Sequence, residues 1–422
     1  MFLAKSRLAR QSAGWLFQRF GKFLSANALP FNPRSPEFHA NPYPVYARLR
    51  AKDPVHRSPL GFVLLTRYDD CFAALRDNRF GREGLERLTQ SRYGEEAESE
   101  RLPRPMLFRD PPDHTRLRSL VNKAFTPRVI EGMRAHIQSL VDSLLDRQRG
   151  TNSMDIIEDL AYPLPFTVIC EMLGIPMETH TAIRGWSGDI ARSVDAFSQQ
   201  RPDLVARGRD ARQKIVAYFK TVIAERRLAP RDDLLSLLIA AEEVGDKLSE
   251  GEMLATVVLL FVAGHETTVG LIGNGMLALL RHPDQLARLR AEPGLINSAV
   301  EEILRYDSPV QRSARLMSED STINGHTFEK GSLVILGLGA ANRDPAQFSD
   351  PERFDITRSD SRPLSFGYGI HFCLGAALAR MEAQVAIGSL LKRIPHFALA
   401  TDRPEWAESS AVRSLKTLPI KW

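Results

Sequence analysis

The chain has 422 residues, 43% of them hydrophobic and 25% charged, and its 56 basic and 51 acidic residues leave a net charge of +5. That balance fits an ordinary globular protein and, with no nucleic-acid motif present, excludes a nucleic-acid-binding chain. Three cysteines, Cys71, Cys170 and Cys373, are too few for a disulfide framework and fit a reducing compartment.

Residues 1–36 read as a basic N-terminal extension. Lys5, Arg7, Arg10, Arg19, Lys22 and Arg34 all precede the first acidic residue, Glu37. Trp15, Leu16, Phe20, Phe23 and Leu24 recur among them at helical spacing. The pattern suits a basic amphipathic helix on an anionic membrane, or an Arg-rich transit peptide. A helix packed on, or frayed from, the domain is the preferred reading. No continuous apolar run reaches the ~20 residues of a membrane span, and the longest ends at Gly264. A cytoplasmic location is expected, with peripheral membrane contact left open.

The remainder, 37–422, has no Gly/Ser linker, repeat or low-complexity tract, so one large domain is expected. Residues 61–66 read as a strand leading into a helix at 68–76. Residues 78–108 are charge-rich without apolar periodicity, which suggests a long, mobile loop. Helical patterns follow at 127–147, 208–227, 249–281, 284–291, 295–306 and 374–393. A second strand is expected at 332–336, after turns at Asn324-Gly325 and Lys330-Gly331. The class is mainly α with small β-sheets. Cys71 and Cys170 fall at core positions of helices. The loop at 78–108 and the region 170–208 are candidate lids.

Segment 249–281 is the most informative helix. Ser249 and Glu252 form a capping-box pair at its start. Its apolar, β-branched centre must run through the middle of the protein. Yet its midpoint reads Ala263-Gly264-His265-Glu266-Thr267-Thr268. An interior carboxylate is costly unless it is paired or has a task. Ala263 and Thr267, four apart, share one helix face. Gly264 leaves room for a flat ligand, Thr267 offers it a hydroxyl, and Glu266 can relay protons. The plain alternative is a helix whose few polar residues touch buried water.

In Phe366-Gly-Tyr-Gly-Ile-His-Phe-Cys-Leu-Gly375, Cys373 stands just before an Ala-rich helix. The positive end of the helix dipole and unpaired N–H groups favour thiolate there. The glycines let the backbone approach something flat and large. Taken alone, a buried structural cysteine is the commoner reading.

The spacing of Phe366, Gly367, Gly369, His371, Cys373 and Gly375 resembles the heme-binding signature of the cytochrome P-450 family at every constrained position. Three distant segments extend the resemblance over roughly 38–420, closest to the soluble bacterial branch. Ala263-Gly264-His265-Glu266-Thr267 looks like the family's segment over the distal heme face, with Glu266 and Thr267 as its acid–alcohol pair. Glu302-Ile-Leu-Arg305 and Asp350-Pro-Glu-Arg353-Phe354 look like the two parts of its Glu–Arg–Arg network. Asp110-Pro-Pro-Asp-His114-Thr-Arg-Leu-Arg118 resembles the segment whose His and second Arg bind a propionate. Arg315 and His371 match further heme contacts, and Arg312 faces either heme or substrate.

The resemblance implies a P-450 fold in one domain, with the long central helix over heme b (iron protoporphyrin IX). Cys373 would be the axial ligand, and such a thiolate favours O–O cleavage. Ala263, Gly264, Phe366, Gly367 and Gly375 would frame the ring. The implied reaction inserts one atom of O2 into an apolar organic substrate by hydroxylation or epoxidation. No flavin or iron–sulfur domain is fused. NAD(P)H would therefore act indirectly, through a separate ferredoxin and its reductase, with Arg116 and Arg380 as steering cations. A peroxide-driven enzyme of the same fold and a non-catalytic heme- or ligand-binding protein are the alternatives. Glu266 and Thr267 speak against both.

Overall fold

The computed structural model describes residues 31–32, 35–59, 61–85, 103–193, 202–243, 248–359, 361–407, 409 and 411–422. The extension at 1–36 lies almost wholly outside the described residues, as do 86–102 of the expected loop and 194–201 of the second candidate lid.

The architecture is mainly helical with small sheets, as expected. Two apolar cores meet at the middle of the chain's most apolar segment. One gathers the helices Arg134–Asp146, Glu266–Arg281, Ile296–Tyr306 and Ala376–Arg393. The other gathers Pro163–Met172, His180–Ser193, Pro202–Leu228, Leu234–Glu243 and Glu250–Ala263. A third, smaller core lies between the Tyr68–Arg76 helix and a five-stranded sheet.

That sheet runs in the order Val55–Arg57, Phe62–Leu65, Leu333–Leu336, Ser313–Met317, Phe80–Gly81. The two strands expected from sequence are neighbours and pair in parallel, Phe62 opposite Leu333 and Leu65 opposite Leu336. Every other pairing in the sheet is antiparallel. The sheet carries Arg315 on a central strand and Arg82 just past an edge strand.

The expected single helix over 249–281 is corrected. It forms Glu250–Ala263 and Glu266–Arg281, with a break at Gly264-His265 where His265 adopts φ −121° and ψ −46°. The capping box at Ser249 and Glu252 is present. Gly264 lies so close to its neighbours that a Cβ would meet the Leu260 carbonyl oxygen at 2.6 Å and Ile169 Cγ1 at 3.0 Å. The two halves together are long and apolar enough, by length and composition, to cross a membrane. They are instead the shared wall of the two large cores. The 127–147 pattern also splits, into Pro127–Gly132 and Arg134–Asp146. Helix Pro163–Met172 escaped delineation because Pro163 and Pro165 stand in its first turn, where a missing N–H costs nothing.

Candidate active site

The cysteine loop is built from two short 3-10 turns, Leu364–Phe366 and Gly369–His371, ahead of helix Ala376–Arg393. Gly367 holds φ +69°, a conformation that other residues adopt only with strain. The Cys373 N–H donates to the Phe366 carbonyl at 2.9 Å, which closes the loop around the sulfur. Burial pushes the Cys373 thiol up, while the Gly375 N–H, Arg118 and Arg380 pull it down. The expected thiolate-favouring groups are thus in place, but burial outweighs them in the protein alone. Cys71 and Cys170 are fully buried and their thiols are pushed up, Cys170 to about 12.

Beside this loop the fold gathers histidines and arginines from four segments. His114 is buried on helix Asp113–Val121 and packs against His371 with ring centroids 4.3 Å apart and planes tilted by 59°. Arg315 is buried on the sheet, and its Nη1 donates to Ser313 Oγ at 2.7 Å. Arg82 Nη2 donates to the same oxygen at 2.9 Å. Arg118 couples to both His114 and Cys373.

The one carboxylate in this group is Asp110. Burial opposes its charge, yet His371 and the N–H groups of Arg82 and Glu83 hold it down to about 2. His371 Nε2 stands 3.8 Å from Asp110 Oδ1, too long for a hydrogen bond. Burial pushes His371 down to about 4 and lowers His114, so both rings are neutral at pH 7. Burial likewise lowers Arg82, to about 10, and Arg315. Three guanidiniums against one carboxylate leave two positive charges unmatched, the number that two propionates carry. Buried His114 Nδ1, Arg82 Nε and His371 Nε2 have no hydrogen-bond partner among the described residues. A buried cation cluster with orphaned donors beside a glycine-framed cysteine fits a heme.

On the other side, Ala263 is exposed and Thr267 half-buried, although the helix turns on either side of them are buried. Leu374, next to Cys373, packs against the same core as Val262 and Leu259. Thr267 Oγ1 reaches back to the Ala263 carbonyl at 3.5 Å. Burial pushes the Glu266 carboxyl up to about 7, against a downward pull from Arg192. A carboxyl near that value both holds and releases protons at neutral pH.

Glu302 and Arg305 are fully buried and joined by two hydrogen bonds, of 2.7 and 2.8 Å. Arg353 does not complete the network. Its side chain is 63% exposed, 3.8 Å from Asp355, and only its carbonyl enters, accepting from Arg305 Nη2 at 2.9 Å. The second arginine at Glu302 is Arg358, with Nε 3.3 Å from Glu302 Oε2. Residues 351–358 turn back on themselves, so the nearer arginine in sequence points out and the farther one points in. Arg116 and Arg380, read as steering cations, are occupied. Arg116 donates to Glu252 at 2.7 Å and Arg380 to Glu301 at 2.5 Å. Arg312 lies over the Phe31 and Phe38 rings.

Sequence reasoning did not single out Arg82, Asp110, Arg358, or the buried pair His265 and Glu382. Arg82 stands inside a charge-rich loop where nothing separates it from solvated arginines. The acid at 382 looks like an ordinary polar face of an Ala-rich helix.

The cytochrome P450 family model matches residues 54–421. The polyketide biosynthesis cytochrome P450 PksS of Bacillus subtilis (strain 168) is 43% identical over 405 residues, covering 93% of this chain and 98% of that protein. The crystal structure of P450BioI in complex with hexadec-9Z-enoic acid ligated acyl carrier protein has a TM-score of 0.85 at 42% identity, covering 92% of this chain and all of that one. The myxobacterial cytochrome P450 CYP267B1 in complex with myristic acid has a TM-score of 0.84 at 43% identity, covering 92% and 98%. On the matched model and on relatives similar along nearly their whole length, this chain belongs to the cytochrome P450 family.

Proposed function

We propose that this chain hydroxylates or epoxidises an apolar acyl or polyketide chain, with electrons delivered by a separate ferredoxin and its reductase. The family uses heme b with a cysteine thiolate ligand and draws on NAD(P)H through redox partners. The bound heme supplies oxygen activation, which the thiolate promotes. The protein's part is ligation, orientation, water exclusion and proton handling.

Cys373 holds the metal. His114, Arg118 and Arg315, with Arg82 added from the structure, hold the propionates, and Phe366, Gly367, His371 and Gly375 frame the ring. Ala263 is the exposed position of this segment; Gly264, expected to leave room for a flat ligand, packs against Leu260 and Ile169 instead. Glu266 stores a proton near neutral pH and Thr267 positions it toward the reaction centre. Glu302, Arg305 and Arg358 keep the cysteine side rigid. The acyl or polyketide class is supported by what the similar proteins act on or bind: polyketide biosynthesis, an acyl carrier protein bearing hexadec-9Z-enoic acid, and myristic acid.

The observation that carries the reading is the gathering of His114, Arg82, Arg118 and Arg315 beside the Cys373 loop, together with the raised carboxyl of Glu266 on the central segment. The test combines two spectra. The reduced protein with carbon monoxide should give a thiolate-type band that Cys373→Ser abolishes. Myristic acid should shift the heme spin state and be oxidised only with NAD(P)H, ferredoxin and reductase present. A thiolate-type band surviving in Cys373→Ser would overturn the assignment, and efficient turnover on peroxide alone would replace the electron-transfer reading.

A further inference from the structure

His265 occupies the break in the central segment and is fully buried. Its ring sits among Tyr162, Phe166 and Phe261, with centroids 5.7, 5.4 and 5.6 Å away. Two polar contacts fix its orientation. Nδ1 lies 3.0 Å from the carbonyl oxygen of Phe261, which only accepts, so Nδ1 carries the hydrogen. In the neutral ring Nε2 is then the acceptor, and the buried Ser187 hydroxyl, 3.2 Å away, donates to it. Phe261 belongs to the last turn of Glu250–Ala263, where carbonyls lack intrahelical donors. The imidazole therefore caps one helix with one nitrogen and grips another helix, His180–Ser193, with the other.

The next two residues are Glu266 and Thr267. The gripped helix also carries Arg192, whose charge reaches Glu266. A displacement of His180–Ser193 thus bears on the break and on the acid beside it.

We propose that His265 is a positioning residue, a latch through Ser187 that locks the His180–Ser193 helix onto the helix break and so holds Glu266 and Thr267 in register. The proposal rests on the reading of Glu266 and Thr267 as the proton-handling pair. A latch makes the two helices one mechanical unit; without it the break can shift independently of the helix above.

Substitutions separate the two contacts. Asn at 265 places an amide where Nδ1 stood, so His265→Asn keeps the Phe261 cap and loses Ser187. Ser187→Ala removes the same bond from the other side with little volume change. Gln reaches the Nε2 position, so His265→Gln restores the latch. Amide hydrogen exchange of the heme-loaded protein reads the coupling directly. His265→Asn and Ser187→Ala should each speed exchange about fivefold at 183–193 and 261–268, as loss of one buried hydrogen bond implies. The double variant should be no faster than either single one, and His265→Gln should be close to wild type at 183–193, where only the Ser187 bond is read.

The second readout is hydrogen peroxide released per NADPH consumed with a surrogate ferredoxin and reductase and myristic acid as substrate. It should rise severalfold in both latch variants and in Thr267→Ala. Unchanged exchange at 183–193 in Ser187→Ala, or additive effects in the double variant, would overturn the latch. Peroxide release that responds to Thr267→Ala but not to the latch variants would overturn it as well, and would leave the proposed function intact. If Thr267→Ala has no effect while the exchange pattern holds, the proton-handling assignment fails, and with it the latch's catalytic purpose.

Discussion

Glu382 has the most sharply calculable consequence. It is 1% exposed on helix Ala376–Arg393, and neither carboxyl oxygen has a hydrogen-bond partner among the described residues. The Thr268 side chain lowers its pKa, but burial dominates and pushes the carboxyl from 4.5 up to about 8. The folded protein therefore keeps Glu382 protonated at neutral pH, while the unfolded chain ionises it above about 4.5. Between those values the folded state binds more protons, so stability falls as pH rises and levels off above about 8.

At about 1.4 kcal/mol per pKa unit, the loss is roughly 2 kcal/mol by pH 6 and roughly 5 kcal/mol by pH 9. Glu382→Gln keeps the shape and does not titrate. Its stability relative to wild type should rise by about 3 kcal/mol between pH 6 and pH 9. The assay is urea unfolding at both pH values, followed by circular dichroism at matched heme loading. Parallel pH profiles for wild type and Glu382→Gln would refute the claim that Glu382 is held protonated by the fold.

Four other outcomes are expected. Arg358→Ala leaves Glu302 short of a counter-charge and should cost about 3 kcal/mol. Arg353→Ala, on an exposed side chain, should cost less than about 0.5 kcal/mol in the same unfolding assay. The pH–rate profile of substrate oxidation should fall above about 7 as Glu266 gives up the proton it must supply, and Glu266→Gln should lower the rate and abolish that limb. Arg82→Ala should release heme to a scavenging apo-globin about tenfold faster, consistent with loss of one charged hydrogen bond to a propionate. A release rate equal to wild type would remove Arg82 from the heme cradle.

The heme side of this protein was legible in the sequence because its constraints are local. A cysteine two residues after His371 and two before Gly375, ahead of an Ala-rich helix, is a short-range pattern. The capping box at Ser249 and the apolar run after it likewise declare a buried helix from neighbouring residues alone. Distance in the chain is where the reading faltered. Arg353 lies in the segment expected to reach Glu302, but the two turns within 351–358 carry the chain round so that Arg358 points inward and Arg353 outward. The break at Gly264-His265 depends on Ile169 and Ser187, which arrive from helices far upstream. Arg82 looks like a surface cation in sequence and is half-buried in space, with its Nε enclosed, because the sheet edge folds over Asp110. Glu382 acquired its raised pKa from packing against helix Glu266–Arg281. Chemistry carried by adjacent residues was set by the chain itself; burial, charge balance and the choice among equivalent arginines were set by which distant surfaces the fold pressed together.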